Sequence, residues 1–170
     1  MEKVVMIISH EGFRDEELLK PKKVLEDSGV KVDIASTDLS PAVGKGGNVV
    51  QPDILFNDID VEDYQAIIFI GGASAACYWD DPRAHKLAQE ALAKRKVLAA
   101  ICIAPVTLAN AGVLKGKKAT VFSSEVAQIK QAGALYTGLD VERDGNIITA
   151  SGPHAAEKFG VEIDRAIHGK

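Results

Sequence analysis

Cys102 is the residue best placed to do chemistry. It stands in Val97-Leu98-Ala99-Ala100-Ile101-Cys102-Ile103-Ala104-Pro105-Val106. The first half of this stretch reads as a buried strand and the second as the first turn of a helix. A thiol at such a joint faces unpaired backbone N–H groups and a positive dipole end, which favour the thiolate, the nucleophilic form. Ala100 and Ala104, two residues before and after the cysteine, are small, as a sharp strand-to-helix elbow requires. Pro105 suits a helix start. Free cysteine is also a common small core hydrophobe, so position alone leaves both roles open.

Two further strand ends carry candidate groups. Gly71-Gly72 follows the apolar run Tyr64–Ile70. A glycine pair there permits a sharp bend and close approach to a ligand, and its N–H groups could join that of Ile103 in an oxyanion site. Taken alone, the pair reads as a plain turn. Asp15-Glu16-Glu17 opens the first helix. Acids in a first turn are ordinarily solvated and favoured by the dipole, which is the expectation for Asp15 and Glu16. Glu17 precedes the core-facing Leu18, so its carboxyl could point to the strand ends and shuttle a proton near a thiolate. No histidine forms an obvious triad. His10, Tyr78, Phe122 and His154 are expected near the rim of the site, with Gly71 beside them. Cys77 and Trp79 lie close by in sequence; Trp79 either packs a loop or lines the cleft, and Cys77 is expected to be a packed thiol rather than the resolving partner of an oxidised Cys102.

The elements that position these groups follow from periodicity. Apolar runs at Val4–Ser9, Tyr64–Ile70 and Val97–Ile101 predict buried strands, and Val30–Ser36 and Lys118–Phe122 read as strands too. Helical spacing predicts helices over 14–28, from Asp81-Pro82 to about Arg95, and over 103–111, 124–131 and 153–168. Thr37–Asn48, with Pro41, Gly44, Gly46 and Gly47, reads as loop. Residues 141–149 read as a hairpin with an Asp-Gly turn. Strands alternating with helices predict a mostly parallel sheet covered on both faces. In open sheets of this kind ligands bind beyond the carboxyl ends of the strands, where Cys102, Gly71-Gly72 and residues 9–17 fall.

Composition bounds the function. The 170 residues predict one domain, residues 1–170, with a real core. Net charge is −4 with no basic run, which argues against nucleic acid or an anionic membrane as partner. Only Val4 to Ile8 follow Met1-Glu2-Lys3 as an apolar run, too short for a signal peptide or a span, so the cytoplasm is the expected compartment. Cys77 and Cys102, the only cysteines, make neither a disulfide framework nor a zinc site. Neither Ser9-His10-Glu11-Gly12-Phe13 nor Gly44-Lys45-Gly46-Gly47 fits a nucleotide fingerprint.

Together, Glu17-Leu18-Leu19-Lys20-Pro21, Ile70-Gly71-Gly72-Ala73 and Ala99–Pro105 resemble the DJ-one/ThiJ/PfpI superfamily. Residues 111–120 and 144–153 extend the match along nearly the whole chain, in the superfamily's order. The resemblance implies a flavodoxin-like α/β three-layer sandwich with a small β-hairpin, a homodimer, and no cofactor or metal. It implies Cys102 as nucleophile, Glu17 as the acid bonded to it, and backbone N–H groups of Gly72 and Ile103 at the site. The peptidase branch places histidine directly after the nucleophile, where this chain has Ile103. The deglycase-like branch often has histidine at the position of Phe122. Proton transfer therefore falls to Glu17. The leading expectation is a cofactor-free enzyme on reactive carbonyls, free or protein-bound, of glyoxalase or deglycase type, protecting against stress. A redox sensor or stress chaperone acting through oxidation of Cys102, and a cysteine peptidase, are the alternatives.

Overall fold

Seven strands form one central sheet in the computed structural model, which describes residues 1–170. In chain order the strands are β1 (Lys3–Ile7), β2 (Glu11–Phe13), β3 (Lys31–Ser36), β4 (Ala42–Gly44), β5 (Val49–Val50) and β6 (Ile54–Leu55). They continue as β7 (Ala66–Phe69), β8 (Val97–Ile101), β9 (Lys118–Ala119), β10 (Leu135–Tyr136), β11 (Val141–Asp144) and β12 (Ile147–Ala150). The helices are α1 (Asp15–Asp27), α2 (Pro82–Ala93), α3 (Pro105–Asn110), α4 (Val126–Gln131) and α5 (Ala156–Ile167). The central order is β11-β12-β8-β7-β1-β3-β6. Every pairing is parallel except β11 with β12.

The apolar runs explain the layering. Alternate residues of a strand point to opposite faces, and both faces here are covered. Val5, Ile7, Ile67, Phe69 and Leu98 pack with Leu87 and Ala91 of α2 and Val106 and Leu108 of α3. Val4, Met6, Ile8, Ile68 and Ala99 pack with Leu18 and Leu25 of α1 and Phe159 and Ile163 of α5. A Cβ at Gly160 would stand 2.7 Å from Pro21 Cα, so α5 meets α1 at backbone distance there. Pro21 lies inside α1. It has no N–H to donate to the carbonyl four residues back, which is that of Glu17.

Three sequence expectations need correction. The 37–48 stretch is not all loop: β4 pairs parallel with β2 and antiparallel with β5 in a small separate sheet. Lys118–Phe122 does not extend the central sheet. Only Lys118–Ala119 is strand, paired with β10. The Thr120 amide instead donates to Thr149 Oγ1, and the Phe122 amide to the Cys102 carbonyl at 2.8 Å. The hairpin register pairs Asp144 with Ile147, so its two-residue turn is Gly145-Asn146, with Gly145 at φ +60°. No helix is long and apolar enough to cross a membrane.

Candidate active site

Cys102 follows β8 directly and has φ +66°. This left-handed conformation is unfavourable for a side-chain-bearing residue, by about 1–2 kcal/mol. It persists because the peptide is fixed on both sides. The Cys102 amide donates to the Ala150 carbonyl at 2.9 Å, the Phe122 amide donates to the Cys102 carbonyl, and the Ala104 amide donates to Ile101 at 3.1 Å. The turn aims the thiol away from the sheet, into a cleft of about 590 Å³.

The glycine pair is required by contact as much as by conformation. A Cβ at Gly71 would lie 2.5 Å from Cys102 Cβ and 2.7 Å from the Ile101 carbonyl, and would overlap Glu17 Oε1. Gly71 therefore sits beneath the nucleophile and does not line the cleft. Gly72 has φ +103°, and a Cβ there would stand 2.8 Å from the Gly12 carbonyl and the Arg14 nitrogen. The N–H groups of Gly72 and Ile103 both face the Cys102 sulfur.

Glu17 is fully buried below the thiol. The Cys102 thiol and the Gly71 amide are the hydrogen-bonding groups that face its carboxyl. Neither oxygen has a partner in full hydrogen-bond geometry, so the carboxyl–thiol contact is loose. Burial raises its pKa from 4.5 to about 7, partly offset by the thiol, by Arg14 and by the Gly71 amide. The thiol is pushed up to about 12, first by burial and then by the negative charge of Glu17, against the opposing pull of the Gly72 and Ile103 amides. The sequence expectation of a dipole-stabilised thiolate is thus reversed. α3 has only six residues, and burial beside a carboxylate outweighs what so short a helix supplies.

Asp15 also departs from expectation, being 4% exposed rather than solvated. Its carboxylate accepts from the Gly46 amide at 2.7 Å, the Asn48 amide at 3.0 Å and the Asn48 side chain at 2.6 Å. Burial acts to raise its pKa, but these donors outweigh it and hold the group below the usual carboxylate value. Asp15 ties the β4–β5 turn to the start of α1.

Of the other rim candidates, only Phe122 lines the cleft. The His10 ring bonds Ser36 at 2.9 Å and Ser40 at 3.1 Å and does not line the cleft. The Tyr78 ring packs tilted against Phe56, centroids 4.8 Å apart, and its hydroxyl donates to the Ile8 carbonyl at 2.7 Å. His154 points outward to Asp140 at 3.2 Å. Trp79 does line the cleft, its indole N–H donating to the Ile103 carbonyl at 3.1 Å. Cys77 is exposed rather than packed, with its thiol raised by partial burial and by Asp81. Sequence reasoning missed Arg14, Lys45, Ser124 and Glu125 in the lining. No histidine lines the cleft, and no cluster of three His, Cys, Asp or Glu could hold a metal ion.

The model of the DJ-1/PfpI family matches residues 2–166. The chain belongs to the DJ-1/PfpI family. An uncharacterized protein of Methanocaldococcus jannaschii is 44% identical over 168 residues, covering 97% of this chain and 82% of its own. A protein named deglycase from Thermococcus kodakarensis is 32% identical, covering 88% of this chain and 90% of its own. The crystal structure of a ThiJ/PfpI domain protein from Brachyspira murdochii superposes with a TM-score of 0.96 at 30% identity, covering 99% and 97% of the two chains. The flavodoxin-like sandwich expected for a DJ-1/PfpI protein is the fold observed.

Proposed function

We propose that this DJ-1/PfpI protein is a cofactor-free enzyme of the glyoxalase or deglycase type, acting on reactive carbonyl compounds through Cys102. The observation that carries the reading is the buried Glu17 carboxyl under a thiol held at positive φ, with two backbone N–H groups at its sulfur. Near neutral pH such a carboxyl exists in both protonation states and can both accept and return a proton.

With a 2-oxoaldehyde, Sγ bonds to the aldehyde carbon while the thiol proton passes to Glu17, and the carbonyl electron pair moves to oxygen. The Gly72 and Ile103 N–H groups stabilise that developing charge. Loss of the proton on the aldehyde carbon and protonation of the adjacent carbon convert the hemithioacetal into a thioester. Water then cleaves the C–S bond, releasing a 2-hydroxy acid and restoring the thiol. The net reaction adds one water, so methylglyoxal gives lactate.

Two alternatives fit less well. A peroxide sensor acts through a thiolate already present at rest, whereas the Cys102 thiol is raised and loses its proton to Glu17 only as its sulfur bonds to the carbonyl carbon. A peptidase needs a base to activate the thiol and an acid for the leaving amine, and the cleft contains no imidazole. The homodimer and the cytoplasmic setting remain part of the proposal; sedimentation at the monomer mass of 18.1 kDa would remove the former. Lactate production from methylglyoxal, lost in Cys102→Ala, tests the activity. An equal yield from the variant, or none from the native protein, rejects it.

A further inference from the structure

Two cations line the Cys102 cleft, and the chemistry above gives neither of them a contact with substrate. Arg14 and Lys45 line it together, and both also line an adjoining depression of about 340 Å³, where Asp15 and Glu16 join them; Asp15 is held there by the Gly46 and Asn48 donors and Glu16 by the Arg14 Nε. The single side-chain partner of Arg14 is Glu16, reached through Nε at 2.6 Å, which leaves the terminal guanidinium nitrogens open. The Lys45 ammonium has no carboxylate within ion-pair distance. Its backbone is nonetheless held firmly. The Lys45 amide donates to Phe13 at 2.9 Å, and the next residue, Gly46, donates to buried Asp15. The acid on the opposite wall, Glu125, is engaged with Ser124 and Gln128.

A free lysine fixed by a buried anchor, beside an arginine with an open fork, suits an anion. The cleft also has the volume of sites that enclose drug-sized ligands, roughly 300–1,000 Å³, far more than a three-carbon aldehyde fills. From this we infer that the substrate is a 2-oxoaldehyde bearing an anionic group, carboxylate or phosphate, which Arg14 and Lys45 hold while its aldehyde carbon meets Cys102. The inference rests on the carbonyl-directed reading for its chemistry, but the anion subsite can be read without turnover.

Alkylation of Cys102 gives that reading, measured in a Cys77→Ser background to remove the exposed thiol. The ratio of the iodoacetate rate to the iodoacetamide rate cancels any change in thiol ionisation. Lys45→Gln and Arg14→Gln are each expected to lower this ratio roughly fivefold, the effect of one charge at a few ångströms in water. Salt at about 1 M, where the Debye length is about 3 Å, should erode the native ratio. Lys158→Gln, outside the cleft, is the control. A ratio in the Lys45 and Arg14 variants equal to the control overturns the anion subsite. Turnover then tests the substrate class. 4,5-Dioxovalerate, giving 2-hydroxyglutarate by addition of water, is the carboxylate arm, and 3-phosphooxy-2-oxopropanal is the phosphate arm. At least one should exceed methylglyoxal in kcat/KM and lose that advantage in Lys45→Gln; if neither does, the substrate assignment fails. An intact alkylation preference with no turnover of any 2-oxoaldehyde would reject the catalytic reading and leave the anion subsite standing.

Discussion

Replacing Glu17 with Gln keeps the shape of the buried side chain and removes its charge, so it isolates the cost of ionising a carboxyl under Cys102. Burial raises the Glu17 pKa from 4.5 to about 7. Below pH 4.5 the group is neutral in both folded and unfolded states and costs nothing. Between 4.5 and 7 the folded state binds more protons than the unfolded one, so stability falls as pH rises. At about 1.36 kcal/mol per pH unit, the full loss is about 3 kcal/mol, complete above pH 7. Glu17→Gln lacks this loss. Urea unfolding of both proteins at pH 4 and pH 8 gives a double difference in which all other titrations cancel. With a urea m-value of about 2 kcal/mol/M, the variant should gain about 1.5 M in midpoint relative to the native protein on going from the lower to the higher pH. The same substitution removes the negative charge that helps push the thiol to about 12. The pH midpoint of Cys102 alkylation should therefore fall, even as carbonyl turnover is lost. A double difference near zero, or an alkylation midpoint that rises, would refute the account of a strained carboxyl and thiol sharing one buried site.

Other perturbations test neighbouring parts of the argument. Gly71→Ala drives a methyl into Cys102 Cβ, the Ile101 carbonyl and the Glu17 carboxyl; it should cost about 1–3 kcal/mol by thermal or urea unfolding and sharply slow iodoacetamide alkylation. Cys102→Gly relieves the φ of +66° and should be more stable than Cys102→Ala by about 1 kcal/mol, with equal stabilities arguing that the elbow holds no strain. Asp15→Ala leaves the Gly46 and Asn48 donors without their acceptor, at about 1–3 kcal/mol. Because the Asp15 pKa is depressed, its contribution is present above the ordinary carboxylate pKa and lost as pH falls through the folded value. The stability difference between native and Asp15→Ala protein should therefore shrink on acidification.

The elements legible in the sequence were those set by local pattern. The continuous apolar runs of β1, β7 and β8 announce strands buried on both faces, because a residue on either side of such a strand meets core. Asp81-Pro82 marks the start of α2, and the Asp81 side chain does accept from the Arg83 amide. Phe122 illustrates the limit. Its segment is apolar enough for a strand, yet its amide goes to the Cys102 carbonyl and not to a ladder, a choice made by a partner twenty residues away. β4 and β5 escaped notice for the same reason, since short glycine-flanked strands are defined by whom they pair with.

For the site, the sequence by itself determined the parts: a thiol at a strand-to-helix joint, a glycine pair at a neighbouring strand end, and an acid one residue before a core leucine. Those follow from local residue types, because strand ends and helix starts in a parallel sheet converge on one edge. Tertiary structure alone decided what the parts do to one another. Burial, a property of the whole packing, turned an expected thiolate into a thiol held near 12 and an ordinary glutamate into a group titrating near 7. It converted Asp15 from a solvated acid into the anchor of a distant turn. It also brought Lys45 beside Arg14 at the cleft, although 31 positions separate Asp15 from the Gly46 it holds. Charge and hydrogen bonding act through space and depend on the local dielectric, and neither distance nor dielectric is written in the order of residues.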